Sequence, residues 1–124
     1  KWQSREYVVI ERQEDMIERQ LTLIMENKPG ALARVVGLFH QRGYNIDSLH
    51  VDPITDFKPY EFIERELNIK FQKNEVSRLI IKTTVGDTLM RQILRQINKL
   101  IEVIAVSDND NTYLKGILRD ENLL

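Results

Sequence analysis

Residues 21–51 read LTLIMENKPGALARVVGLFHQRGYNIDSLHV. The stretch holds an alternating apolar run, a Pro-Gly break, an apolar stripe with helical spacing, a second Gly break and another apolar run. That order predicts a strand, a loop, a helix and a second strand. The helix is expected from Ala31 to about Arg42, with Gly43 at its end. Its buried face is expected to hold Leu32, Val35, Val36 and Phe39.

The start of this helix lacks an ordinary cap. Helices usually cover their first amides with a Ser, Thr, Asp or Asn side chain, but the residues here are Lys28, Pro29, Gly30 and Ala31. The first N–H groups of a helix have no internal partner and face outward with the positive end of the dipole. The sequence therefore predicts that the amides of Gly30, Ala31 and Leu32 are available to a carboxylate or phosphate.

An internal repeat extends this pattern. Shifting the chain by 56 positions places Leu23 on Leu79 and Gly30 on Gly86, with no gap through the following helix and strand. Two strand–helix–strand units predict a βαββαβ order. The corresponding fold class is α+β, with an antiparallel sheet carrying two helices on one face.

The two helix starts differ in sequence. In the second unit, Asp87 or Thr88 is expected to cap its own helix. The equivalent positions of the first unit are Ala31 and Leu32, which cannot cap. If a small anion binds at a helix start, we expect it at the first.

Two terminal segments lie outside the repeat. Residues 1–19 are expected to form an N-terminal extension, with a short edge strand at residues 7–10 and a charge-dense, solvated stretch after it. The closing strand of the repeat is expected at residues 101–106. Residues 109–124 are expected to be a short amphipathic C-terminal tail.

A long insertion separates the second and third strands, at about residues 53–75. Its acidic residues 60–66 favour a short helix. Alternation of Leu67, Ile69 and Phe71 with polar residues predicts a strand that forms a hairpin with residues 77–84.

Composition narrows the classes of function. A length of 124 residues fits one domain, and 18 basic against 19 acidic residues argue against binding to nucleic acid or to a membrane surface. The chain has no cysteine, which excludes disulfides, thiolate metal sites and a Cys nucleophile. No apolar run reaches the roughly 18 residues that a membrane span needs. We expect a cytoplasmic location, or an organellar one if the source is eukaryotic.

Catalytic and metal motifs do not emerge. His40 and His50 are too far apart to form a ligand pair on one helix. Residues 108–111 begin like a calcium loop, but Tyr113 replaces the required Gly and Arg119 the terminal Glu. No nucleophile–base constellation is visible. We therefore expect neither catalytic residues nor a metal site.

Five segments carry a resemblance to a known family: residues 26–35 (ENKPGALARV), 41–49 (QRGYNIDSL), 77–81 (SRLII), 86–87 (GD) and 98–103 (NKLIEV). Over about residues 20–107 the chain resembles the ACT domain, a ferredoxin-like βαββαβ module that senses amino acids. More narrowly, it resembles the small regulatory subunit of acetolactate synthase, also called acetohydroxyacid synthase. The pairing of GALxR with GYNIDSL is fairly specific for that subunit.

The resemblance implies an ACT domain at residues 20–108, with an insertion about twenty residues longer than the family's usual connection. It implies a homodimer that binds a branched-chain amino acid, typically valine, at its interface. It also implies a catalytic partner subunit that the chain activates and makes sensitive to end-product inhibition. No cofactor is expected in this chain, since thiamine diphosphate, Mg and FAD are expected only in the catalytic partner.

The ligand-binding positions implied by the resemblance are Asn27, Gly30, Ala31, Leu32, Asn45 and Ile46. The backbone amides from Gly30 to Leu32 would hold the ligand's carboxylate. An amide oxygen of Asn27 or Asn45 would accept from its ammonium group. Leu32 and Ile46 would line an aliphatic pocket.

Two alternatives stay open at this point. The chain could be an ACT sensor for another enzyme of amino-acid metabolism. It could also be an RNA-binding βαββαβ domain, although such domains stack bases on aromatic side chains of their central strands. Residues 78–83 contain no aromatic side chain. A free-standing enzyme is the least favoured class.

Overall fold

The structure, a computed structural model, describes residues 16–124, so the edge strand expected at residues 7–10 lies outside the described part. Its strands are β1 (Ile17–Glu26), β2 (Ser48–Pro53), β3 (Val76–Val85), β4 (Val103–Ser107), β5 (Thr112–Leu114) and β6 (Ile117–Arg119). Its α-helices are α1 (Ala31–Gln41), α2 (Glu61–Leu67) and α3 (Asp87–Asn98), and a 3-10 turn at Lys58–Tyr60 precedes α2. The strands form one antiparallel sheet in the order β2-β3-β1-β4-β5-β6.

The predicted βαββαβ order and ferredoxin-like α+β class are confirmed. The units β1–α1–β2 and β3–α3–β4 follow the two copies of the sequence repeat. Helices α1 and α3 begin at Ala31 and Asp87, which the 56-residue shift superposes. Leu23 and Leu79, also superposed by that shift, face each other in the β1–β3 ladder. The local pseudo-twofold axis therefore passes between equivalent residues at the centre of the sheet.

The main core lies between the sheet and the helices α1 and α3. Alternate residues of β1 and β3 point into it, together with one face of each helix. On α1 the buried residues are Ala31, Val35 and Phe39. The predicted stripe is partly wrong, because Leu32 is 39% exposed and Val36 is half-buried. The buried side chains that face the sheet are spaced four residues apart along α1, and the first of them is the small Ala31.

A second core covers the opposite face of the sheet. Its buried residues come from the insertion, β1, β3, β4 and β5: Ile24, Ile54, Tyr60, Ile63, Phe71, Val76, Ile104, Ala105 and Leu114. The helix expected at residues 60–66 is confirmed as α2, whose inner side is Ile63.

The strand predicted at residues 67–71 is wrong. Leu67 is the last residue of α2, and Asn68 ends the helix in the left-handed conformation, with φ +53°. Phe71 is buried and its ring lies 5.8 Å from that of Phe57. The alternating pattern arose from a helix end followed by a loop that inserts one aromatic ring. The strand that pairs with β3 on this side is β2.

Two short strands extend the sheet near the end of the chain, where the sequence suggested an amphipathic tail. β5 pairs with β4, and β6 pairs with β5. The turn between them uses Lys115 and Gly116, both with positive φ, as a two-residue hairpin turn of type I′ requires. The closing strand begins at Val103, two residues later than expected, and Ile101 is 79% exposed.

Candidate ligand site at the start of helix α1

The loop between β1 and α1 is fixed to the neighbouring strand. The amide of Asn27 donates to Glu75 O at 2.8 Å, and the Asn27 side-chain Nδ2 donates to Asn74 O at 3.2 Å. Gly30 is the N-cap residue and has φ +81°, a conformation that glycine adopts without strain. No side chain caps the helix and its first turn has no acidic residue. The expected open helix start is therefore present.

The amides at this start are not all available. The amide of Ala31 donates to Lys28 O at 3.1 Å, so the prediction of three open amides is wrong at this residue. The loop folds back on itself and supplies that acceptor. Within residues 16–124, the amides of Gly30 and Leu32 have no protein acceptor. Of the three predicted amides, those of Gly30 and Leu32 therefore remain for an anion.

The start of α3 differs from that of α1, although not in the way expected. Gly86 is its N-cap, so neither Asp87 nor Thr88 occupies the cap position and that prediction is wrong. Asp87 instead lies in the first turn and pairs with Arg19 at 2.7 Å. A carboxylate in the first turn complements the dipole of α3. Helix α1 has no such internal charge.

Charged side chains surround the start of α1. Arg34 Nε donates to Glu102 Oε2 at 2.7 Å, and this bond lowers the pKa of the largely buried Glu102 carboxyl below its usual value. Lys28 Nζ lies 2.7 Å from Glu26 Oε2, and the hydrogen bond to this carboxylate raises the pKa of Lys28. The helix start thus carries fixed charges of both signs.

The remaining predicted residues lie in the loop between α1 and β2. Thr83 Oγ1 donates to Asn45 O at 2.6 Å, and the amide of Asp47 donates to Lys82 O at 2.7 Å. Asn45 is exposed and its Nδ2 donates to Asp47 Oδ1 at 3.0 Å. Ile46 is half-buried and packs against the main core. This loop is therefore well anchored to β3.

The two groups of predicted residues lie at opposite ends of the sheet. Glu26, just before the first loop, pairs with Val76, whereas Ser48, just after the second, pairs with Lys82. At about 3.3 Å per residue along β3, the two ends are about 20 Å apart. A single chain brings Asn27 and residues 30–32 together, but it does not bring them to residues 45–46.

Arg34 and Glu102 were not among the residues that the sequence pointed to. Arg34 lies one helical turn after Gly30, on the same side of the helix, which is a signal that could have identified it. Glu102 stands alone between Ile101 and Val103, and an isolated carboxylate in an apolar run is rarely buried without a partner.

Metal binding and membrane insertion have no support among residues 16–124. No group of three or more His, Asp or Glu side chains is arranged to hold a metal ion in this part of the chain. Asp108 Oδ1 accepts from the amides of Asp110 and Asn111, which makes that acidic segment a self-bonded turn. None of the helices in the described range has the length and apolar character needed to cross a membrane.

Solved structures place the fold in a known class. The ACT domain of a GTP pyrophosphokinase from Chlorobium tepidum matches with a TM-score of 0.54 at 13% identity, over 75% of this chain and 97% of that chain. The acetolactate synthase small subunit from Thermotoga maritima matches with a TM-score of 0.55 at 30% identity, over 74% of this chain and 47% of that one. The fold is that of an ACT domain.

Sequence comparison narrows this class. The family model described as AHAS small subunit-like ACT domain matches residues 21–105, and the chain belongs to this family. The isozyme 3 small subunit of acetolactate synthase from Escherichia coli (strain K12) is 38% identical over 92 residues, covering 74% of this chain and 46% of that protein. The probable acetolactate synthase small subunit of Archaeoglobus fulgidus is 36% identical over 92 residues, covering 74% and 47%. The chain spans about half the length of these curated relatives.

Proposed function

We propose that this chain is part of a non-catalytic regulatory subunit of acetolactate synthase. In this role it activates a catalytic partner subunit and binds a branched-chain amino acid for feedback inhibition. The proposal is supported by the family match at residues 21–105 and by the names of the related proteins. The observation that carries the ligand half is the open start of α1, where the amides of Gly30 and Leu32 have no protein acceptor among the described residues.

A homodimer would bring residues 27–32 of one protomer close to residues 45–46 of the other. Among residues 16–124, β2 is an edge strand of the sheet, and its central residues are exposed, including Val51 at 44%. An exposed edge readily pairs with another strand. If two β2 edges pair antiparallel about a twofold axis, the α1–β2 loop of the partner moves to the end of the joined sheet that holds the β1–α1 loop. Residues 27–32 of one protomer and residues 45–46 of the other would then share one site.

The chemistry of this shared site suits an aliphatic amino acid. The two open amides and the N-terminal end of the α1 dipole favour a carboxylate. Asn27 Nδ2 is already bonded to Asn74 O, which leaves its carbonyl oxygen as an acceptor for an ammonium group. Leu32, 39% exposed beside the amides, supplies apolar surface for the ligand's side chain.

The proposed site favours a class of ligand rather than one member of that class. A buried valine side chain contributes about 1.5–3 kcal/mol, and one additional methylene changes affinity by about 1–3 kcal/mol. The affinities for valine, leucine and isoleucine are therefore expected to differ by amounts that small differences in packing determine. We propose the branched-chain class as the ligand.

Calorimetric titration of valine, leucine and isoleucine into the purified chain tests the proposal, with arginine as control and with the mass in solution followed in parallel. Saturable binding of a branched-chain amino acid by a dimer, with no heat from arginine, is expected. Addition of the chain to an acetolactate synthase catalytic subunit should then raise its activity, and the bound amino acid should lower it again. A folded chain that binds none of the three amino acids would reject the ligand half of the proposal.

A further inference from the structure

A buried carboxylate lies beside the start of α1. Glu102 is 5% exposed, and its backbone oxygen accepts from the amide of Glu26 at 2.8 Å, which fixes it beside the end of β1. Its Oε2 accepts from Arg34 Nε. Its Oε1 is buried and has no hydrogen-bond partner among residues 16–124. Nearly all buried polar atoms in native proteins have a hydrogen-bond partner. We therefore expect the donor to Glu102 Oε1 to come from outside the described part of the chain.

The guanidinium of Arg34 connects this carboxylate to the open amides. Its side chain is 56% exposed and only its Nε is engaged by Glu102. Nη1 and Nη2 both lie 4.0 Å from the position that a Cβ on Gly30 would occupy. No protein acceptor within the described residues takes their hydrogens. These donors therefore stand next to the two open amides of the helix start.

We propose that Arg34 and Glu102 bind the charged head of the amino-acid ligand. Arg34 Nη1 and Nη2 donate to the ligand's carboxylate together with the open amides of α1. Glu102 Oε1 accepts from the ligand's ammonium group. This inference rests on the proposed function, and it adds two charged binding residues to a site otherwise made of backbone and amide groups.

A zwitterion suits this arrangement better than a simple anion does. The protein presents a cation and an anion that are bonded to each other, and an α-amino acid carries the complementary pair of charged groups on one carbon atom. Oε1 is enclosed in the free protein, and the other oxygen of the same carboxylate is bonded to Arg34, whose side chain is 56% exposed. When the Nη groups of Arg34 turn to the ligand's carboxylate, the ligand's ammonium group becomes the charged donor to Glu102 Oε1. Hydrogen bonds between charged groups are shorter and stronger than those to neutral amides.

The consequence is selectivity for a free α-amino group. A site that hydrogen-bonds a ligand's polar group rejects an analogue that lacks it, because the buried protein acceptor is then left unpaired. The test compares valine with 3-methylbutanoate, which keeps the branched side chain and carboxylate but has no amino group. Both are titrated into the wild-type chain and into the variants Glu102→Gln and Arg34→Gln. Glu61→Gln and Arg91→Gln, both at exposed positions away from the helix start, serve as matched controls.

The wild-type chain is expected to bind valine at least about tenfold more tightly than 3-methylbutanoate. Glu102→Gln should weaken valine binding by about 10- to 100-fold and leave binding of 3-methylbutanoate within about twofold, so the selectivity disappears. Arg34→Gln should weaken both ligands. The control variants should match the wild type. The comparison of the two ligands on the wild-type chain needs no variant to fold.

Three results would overturn the inference, and they distinguish its failure from failure of the proposed function. If the wild-type chain binds valine and 3-methylbutanoate equally, or if Glu102→Gln keeps the wild-type selectivity, the headgroup assignment is wrong while the proposed function stands. If the wild-type chain binds no branched-chain amino acid at all, the proposed function fails and the inference fails with it.

Discussion

Replacement of Gly30 by aspartate tests whether the start of α1 holds a carboxylate. Gly30 has φ +81°, and a side chain in this left-handed region costs about 1–2 kcal/mol. The nearest atoms to a new Cβ would be Arg34 Nη1 and Nη2 at 4.0 Å, an ordinary contact distance, so there is no clash. Against a domain stability of about 5–15 kcal/mol, the variant should still fold.

The charge of this aspartate is expected to remove ligand binding. Two unit charges 4 Å apart interact by about 4 kcal/mol at an effective dielectric constant of 20, which would exclude a second carboxylate from the same donors. Gly30→Ala is the matched control, because it has the same backbone strain without the charge. We expect Gly30→Asp to lose valine binding by at least about 100-fold and Gly30→Ala by less than about tenfold.

Calorimetry with valine, together with a thermal melt of each variant, separates these effects. The melts should show similar losses of stability for the two variants. The proposed carboxylate site would be refuted if Gly30→Asp kept wild-type affinity for valine. It would also be refuted if Gly30→Ala lost as much affinity as Gly30→Asp, because backbone conformation rather than charge would then account for the effect.

Three further predictions concern the dimer, the insertion and the ion pair at the site. Val51→Asp should halve the mass in solution and abolish valine binding. The reason is that it places like charges on the exposed β2 edge at the proposed interface. A dimer of unchanged mass would argue against this edge. Ile63→Ala should lower the free energy of unfolding by about 2–5 kcal/mol, whereas the exposed Ile69→Ala should cost less than about 1 kcal/mol; equal effects would show that the second core contributes little. The hydrogen bond to Arg34 lowers the pKa of Glu102 in the folded state. The contribution of this bond to stability is therefore present above the unfolded-state pKa of about 4.3, and it is lost as the pH falls through the folded-state pKa. Urea unfolding should therefore show Arg34→Gln to be less stable than wild type at neutral pH and the difference to shrink in acid, and a constant difference would contradict this assignment.

The repeated architecture was predictable because both copies use local signals. These signals are the periodic apolar residues, the glycines at the helix ends (Gly30 and Gly43) and the match of Leu23 to Leu79. Each can be recognised from a short segment or from the comparison of two short segments. The structure agrees with them because the sheet and the helices α1 and α3 bury these residues in one core. The open helix start was predictable in the same way, since the absence of a capping side chain is visible in the sequence.

The parts that were missed depend on long-range contacts. The insertion alternates like a strand around Ile69, but its Phe71 is buried against the far face of the sheet, and only tertiary packing determines this. The hairpin near the end of the chain depends in the same way on a free edge of β4. Ala31 lost its open amide to a carbonyl in its own loop. The separation of residues 27–32 from residues 45–46 follows from sheet topology, which spacing along the chain does not reveal.

The claim that one site is built by two protomers has a direct test in mixed dimers. Gly30→Asp disables the half of the site at the start of α1, and Asn45→Asp places a carboxylate at an exposed position of the other half. Each variant alone should bind no valine at concentrations that saturate the wild-type chain. After the two variants are unfolded together and refolded, a heterodimer carries one site with both halves intact. The account predicts that the mixture regains saturable valine binding at wild-type affinity and reduced stoichiometry. A mixture that forms heterodimers but binds no more valine than the separate variants would contradict the shared site.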